Sequence, residues 1–217
     1  MTTLPGLLVS FEGVDGCGKS TQAELLCGAL AGRGLPVGTA GAPGAVIREP
    51  GGTEAGERIR ALLLHGPDGL APWTEALLYA AARAQLVAEV VQPALAAGRV
   101  LVLDRFLDSS LAYQGHARGL GIDVVYALNE PGLQGVLPDV TFVLDVDPAT
   151  GLARVGGSPD RIEREGLEFQ RRVRHGFREL AARYPGRVRL VDGERPPGVV
   201  AAEIEAECGR LLEAHRV

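Results

Sequence analysis

Apolar positions fall along this chain in two kinds of stretch. Short, mostly apolar runs occur at residues 7–12, 100–103, 140–144 and 188–191, the second of them wholly apolar. Such runs suit strands buried on both faces. Longer stretches between them repeat apolar residues at helical spacing. Residues 21–31 place Leu25, Leu26, Ala29 and Leu30 on one stripe. Residues 54–64 follow Thr53, a natural N-cap, with Glu57 in the first turns. Residues 72–97 are apolar beyond one stripe, which predicts burial on two sides or in a dimer. Pro93 is expected to kink the last turn of that helix and Gly98 to stop it. Further helices are predicted over 108–117, 123–134, 161–183 and 199–214, with a short one opening at Asp147-Pro148. A short second strand is expected within 37–47, ending near Ile47 after an irregular insert broken by Gly38, Gly41, Pro43 and Gly44. Five apolar strands alternating with helices predict an α/β fold, a five-stranded parallel sheet with helices on both faces.

The loop after the first strand carries chemistry. Gly13-Val14-Asp15-Gly16-Cys17-Gly18-Lys19-Ser20, followed by Thr21, has two glycines, then lysine and serine, between a strand and a helix. That is the phosphate-loop pattern in the context it needs. Glycines let backbone N–H groups turn inward around phosphate oxygens, and the helix N-terminus adds partial positive charge. Lys19 is expected to reach the β and γ phosphates of a nucleotide such as ATP. The Ser20 hydroxyl is expected to ligate Mg²⁺.

Composition narrows the reading. The chain has 217 residues, 46% of them hydrophobic, enough to bury a real core in one domain, 1–217. A net charge of −5 gives no basic signature for nucleic acid. The 22 basic residues include one lysine, Lys19, so surface cations are arginines and a lone arginine is weak evidence. Cys17, Cys27 and Cys208 form neither a disulfide framework nor a zinc pattern. No signal segment or membrane-length apolar run is present, which predicts a cytoplasmic protein with no membrane partner. His65, His116, His175 and His215 show no metal spacing and are expected at the surface.

Other candidates lie just after strands, where parallel sheets bind ligands. Asp104-Arg105 ends the strand 100–103; the aspartate is expected to order Mg²⁺ or its water, and Arg105 to hold an anionic group bidentately. Asp15 is expected to face the second substrate, paired with a hydroxyl or an arginine, and Glu12 either does similar work or is a buried, paired strand carboxylate. Arg154, Arg161 and Arg164 bracket a glycine-containing loop, which predicts a short lid at about 154–164. No Asn-Lys-x-Asp guanine signature favours a GTPase switch. Another phosphate-loop kinase and a non-catalytic nucleotide-binding protein are the remaining rivals.

Taken together, 11–22, Arg48-Glu49-Pro50-Gly51-Gly52-Thr53, 104–115, Leu144-Asp145-Val146-Asp147-Pro148 and Asp160-Arg161-Ile162-Glu163 resemble the bacterial thymidylate kinases. The resemblance spans nearly the whole chain and is most specific over 104–115. It implies a nucleoside monophosphate kinase, a homodimer with Mg²⁺, that moves the γ-phosphoryl of ATP to dTMP. It implies that Arg105 grips the dTMP phosphate, with Asp15 at the 3′-hydroxyl side and Arg48 in the same acceptor site. Arg83 is implied to bond the thymine carbonyl, Tyr79 to stack on the base, Ser110 and Gln114 to sit near it, Tyr113 to crowd a 2′-hydroxyl, and Pro50 to line the methyl pocket. The stacking position is usually Phe in the family. Gly16 stands where another branch has Arg, so a catalytic arginine is expected from Arg154, Arg161 or Arg164.

Overall fold

The computed structural model describes residues 6–67, 69–156 and 160–214. Its centre is a five-stranded sheet in the order β2-β3-β1-β4-β5. The strands are β1 (Leu7–Glu12), β2 (Ile47–Arg48), β3 (Val100–Asp104), β4 (Val140–Asp145) and β5 (Val188–Asp192). Every pairing is parallel: Leu7 stands opposite Val100, Val9 opposite Val140, Ile47 opposite Leu103 and Thr141 opposite Val188. β1 and β3 are buried along their whole length, with Ser10, Glu12 and Asp104 buried among their apolar residues.

The helices are α1 (Lys19–Gly32), α2 (Glu54–His65), α3 (Pro72–Leu86), α4 (Gln92–Ala96), α5 (Leu107–Ser110), α6 (Ile122–Leu133), α7 (Pro148–Arg154), α8 (Gly166–Arg183) and α9 (Pro197–Ala214). Thr53 caps α2 as expected, its Oγ1 accepting from Gly56 N at 2.9 Å, while Glu57 Oε1 accepts from Gly52 N. Asp147 caps α7 through Ala149 N.

The short second strand forms at Ile47–Arg48, where it was expected, and Val37 contributes only a bridge to Val100. Other elements add to or depart from the sequence reading. The insert folds back on itself through a Gly38–Pro43 bridge, which the interrupting glycines permit. The run 72–97 is one helical rod, but Val87–Val91 widens to a π-helix just before Pro93. The wider turn gives the proline ring room where an α turn would set it against a carbonyl. The helix expected from 161 instead begins at Gly166, whose φ of +81° breaks the chain after a 3₁₀ turn at Glu163–Glu165. Residues 157–159 of the expected lid, and His215, lie outside the described residues.

Candidate active site

The loop 13–20 joins β1 to α1 and is shaped by three glycines with positive φ. At Gly16 the turn is packed as well as bent. A Cβ there would fall 2.0 Å from the carbonyl oxygen of Gly151 on α7, and one on Gly151 would fall 2.3 Å from Asp15 O. Two backbones touch here, and neither position has room for a side chain. Lys19 is buried, its Nζ donating to Val14 O at 2.8 Å and Gly13 O at 3.2 Å. Ser20 Oγ donates to Asp104 Oδ2 at 2.5 Å, so the two expected Mg²⁺ positions meet although 84 residues separate them. A hydroxyl and a carboxylate are the hard oxygen donors that Mg²⁺ takes, so this pair fits that ion.

The loop's outer face opens on a hollow lined by Gly16, Cys17, Gly18, Lys19, Ser20 and Thr21, together with Arg154 and Arg195. Across the loop lies a cavity of about 290 Å³ at the C-terminal ends of β1, β2 and β3. Asp15, Arg48, Pro50, Tyr79, Arg105, Ser110, Tyr113 and Gln114 all line it. Arg105 sits at φ +73°, a strained conformation for a residue with a Cβ. Its Nη2 donates to Asp15 Oδ1 at 2.5 Å and to the Tyr113 hydroxyl at 3.3 Å, and its Nη1 donates to Ser109 Oγ. Asp15 therefore has the arginine and hydroxyl partners expected of it. The Ser110 hydroxyl is buried against this cavity with no hydrogen-bond partner among the described residues.

A fully buried carboxyl holds the strained turn. Glu12 Oε1 accepts from Phe106 N at 2.7 Å and Oε2 from Ser109 Oγ at 2.5 Å. Burial, helped by Asp108, pushes Glu12 up to about 8, against the pull of its hydrogen bonds and Arg105. Of its two expected readings, the buried, paired one describes it.

Other expected residues fall elsewhere. Arg83 is 2% exposed and does not line the cavity. Its Nε is 2.8 Å from Glu49 Oε1, Nη1 donates to Asn129 Oδ1, and Nη2 donates to Phe106 O at 3.0 Å. Burial raises Glu49 to about 7, with Arg83 opposing the rise. The three lid arginines separate. Arg154 lies on the loop's outer face, and Arg164 is exposed at the turn before α8. Arg161 is buried, with Nη1 2.7 Å from Glu75 Oε2 and Nε donating to Leu63 O. Glu75 also accepts from Gln114 and Arg118; these bonds outweigh its burial and hold it below the usual carboxylate range.

Sequence reasoning passed over Arg60, Glu75 and Gln170. Arg60 lines the cavity and donates to Pro50 O. Burial, then Arg48 beside it, lowers its pKa. Glu75 is a lone acid in an apolar stretch, a signal that could have been read. Gln170 is fully buried on α8, and its Nε2 donates to Asp15 Oδ2 at 2.6 Å. Nothing local on that charged helix marks it. The four histidines show no metal spacing in the sequence and were expected at the surface, but the fold brings His116 and His175 into contact there. Among the described residues no helix is long and apolar enough to cross a membrane.

A parallel sheet with a phosphate loop after β1, a serine–aspartate pair at its tip and an arginine-lined cavity beyond it defines a phosphate-loop phosphotransferase of the nucleotide kinase class. The comparisons narrow the class. The thymidylate kinase family profile matches residues 11–204. The chain is 49% identical over 215 residues to a thymidylate kinase of Pelotomaculum thermopropionicum, covering 97% of this chain and 96% of that protein. It is 47% identical to one from Bifidobacterium longum strain DJO10A, covering 96% and 100%. The crystal structure of thymidylate kinase from Ehrlichia chaffeensis superposes with a TM-score of 0.73 at 32% identity, covering 92% of this chain and 96% of that one. The chain belongs to the thymidylate kinase family.

Proposed function

We propose that this chain transfers the γ-phosphoryl group of ATP to dTMP, giving ADP and dTDP, as one kinase domain with a short lid at about 154–164. The observation that carries the reading is the two-sided loop. A donor hollow and an acceptor cavity share Gly16, Lys19 and Ser20. Two nucleotides bound there would meet at Lys19.

The roles follow from position. Backbone N–H groups of 13–21 would hold the donor phosphates, and Lys19 would neutralise charge on the group in transfer. Ser20 and Asp104 would hold Mg²⁺, which supplies charge neutralisation between the donor phosphates. Arg105, with Arg48 and Arg60 on the same cavity wall, would bind the acceptor phosphate, a bidentate task for which guanidinium is suited. Asp15, fixed by Arg105, Tyr113 and Gln170, would face the acceptor sugar. Ser110 has an open hydroxyl for the base, and Tyr79, Gln114 and Pro50 surround the same space. Arg83 would act from behind the wall, through Phe106 and Glu49. Among the lid arginines the donor-side position favours Arg154. Positioning and electrostatics supply most of the catalysis, since phosphoryl transfer asks little covalent chemistry of the protein.

Trp73 and Leu77 are 47% and 52% exposed one turn apart on α3, and so share a face. They support the homodimer that the two-sided apolar helix suggests. These substrates suit a cytoplasmic enzyme whose partners are the two nucleotides rather than nucleic acid or membrane.

The test is coupled ADP release from ATP and Mg²⁺ with dTMP, dUMP, UMP, dGMP and thymidine as acceptors. Strong preference for dTMP is expected. Preference for another acceptor would keep the kinase and overturn the roles given to Tyr79, Ser110 and Tyr113.

A further inference from the structure

His116 and His175 meet on the face where the π-helical segment Leu111–Ala117 packs on α8. His175 Nδ1 lies 3.1 Å from His116 Nε2, with the ring centroids 4.9 Å apart and the planes 31° from parallel. Glu179, one turn beyond His175, has Oε2 2.9 Å from His116 Nδ1. The approach depends on Gly176, since a Cβ there would fall 2.9 Å from His116 Cβ. The neighbouring arginines of α8 are turned to other acceptors, Arg172 to Ala117 O and both Arg174 and Arg178 to Asp145.

The carboxylate decides the tautomer. Glu179 accepts the Nδ1–H of His116, which leaves Nε2 as a lone pair aimed at His175. A carboxylate behind a histidine in this way is the usual outer support of a metal-bound imidazole. Zinc–nitrogen bonds of about 2.0–2.1 Å in tetrahedral geometry put neighbouring nitrogens roughly 3.4 Å apart, close to the spacing found here. Binding needs only that the His175 proton move to Nε2, on the exposed side of the cluster.

We propose that His116 Nε2 and His175 Nδ1 form a two-imidazole site for a divalent transition cation of the Zn²⁺ class, with Glu179 fixing His116 and water completing the coordination. Nitrogen donors separate this site from the oxygen-only pair at Ser20 and Asp104, so Mg²⁺ does not compete for it. The bound ion would tie 111–117 to α8. These two elements carry Tyr113, Gln114 and Gln170 around the acceptor cavity, and Phe169 and Phe177 of α8 pack edge-on against Tyr113.

The experiment titrates the full chain with Zn²⁺ alone, in excess Mg²⁺, by calorimetry and by thermal unfolding. One equivalent should bind and raise the unfolding midpoint. His116→Gln and His175→Gln should each abolish both effects while unfolding like the parent chain in chelator. Glu179→Gln should weaken binding about 10–100-fold, as loss of such a support does. Zn²⁺ binding that survives the double His116→Gln/His175→Gln variant would overturn the proposal, as would the lack of saturable binding by the parent chain.

Discussion

The Arg83–Glu49 pair gives the sharpest quantitative test of how the acceptor wall is built. Both side chains are almost wholly buried, and Arg83 also serves Asn129 and Phe106 O. Arg83→Met keeps the volume and removes every one of these contacts. Breaking a buried ion pair from one side costs about 3–5 kcal/mol, because a charge is left without its partner. In a chain of this size that corresponds to a drop of roughly 6–20 °C in unfolding midpoint. The cost must depend on pH. Burial already raises Glu49 from 4.5 to about 7, and Arg83 opposes that rise, so its loss moves the carboxyl higher still. The parent chain stops losing stability from this group once pH passes about 7, whereas the variant keeps losing it above that point. The deficit should therefore be larger at about pH 8.5 than at about pH 6, and adding Glu49→Gln should recover stability at the higher pH. Urea unfolding at both values, for the parent and the single and double variants, reads this directly. A deficit independent of pH, or no recovery in the double variant, refutes the reasoning.

Three further outcomes are expected. Lys19→Ala should lose at least about a hundredfold in kcat while circular dichroism shows the fold intact, and near-normal turnover would sink the mechanism. Gly16→Ala should lower stability by about 1–3 kcal/mol and weaken ATP binding, because its Cβ would meet the Gly151 carbonyl; an unchanged melting curve would mean that the contact relaxes freely. Glu12, raised from 4.5 to about 8, contributes stability that is full below 4.5 and lost as pH rises through about 8, so Glu12→Gln should show a smaller fall in unfolding midpoint between about pH 6 and about pH 8.5 than the parent chain.

Much of this fold could be read from the chain because its longer strands are mostly apolar runs and its loop glycines sit at fixed spacing. The phosphate loop, the caps at Thr53 and Asp147, and the β3 end at Asp104-Arg105 are local signals. What escaped was long-range. Gln170 reaches Asp15 across 155 residues, and the Arg161–Glu75 pair joins two segments that read as unrelated. His116 and His175 are 59 residues apart and share no periodicity. Arg83 reads as a site residue, yet its depth behind the wall depends on how α3, α6 and the loop at Glu49 pack together. The π-helical turn at Val87–Val91 was foreshadowed only as a kink at Pro93. Hydrophobic pattern reports which face is buried, not which polar groups meet on it.

The scarcity of lysine has a practical side. Every other basic side chain in this protein is a guanidinium or an imidazole, so Lys19 is its one side-chain amine, and it is 7% exposed beneath the phosphate loop. Amine-directed chemistry that would decorate the surface of most proteins finds one side chain here, buried at the loop, besides an α-amino group. Acylating labels, cross-linkers and resin couplings should therefore fall on the α-amino group first and reach the phosphate loop only when forced. The label found on Lys19 then counts open loops, and a bound nucleotide should protect against it.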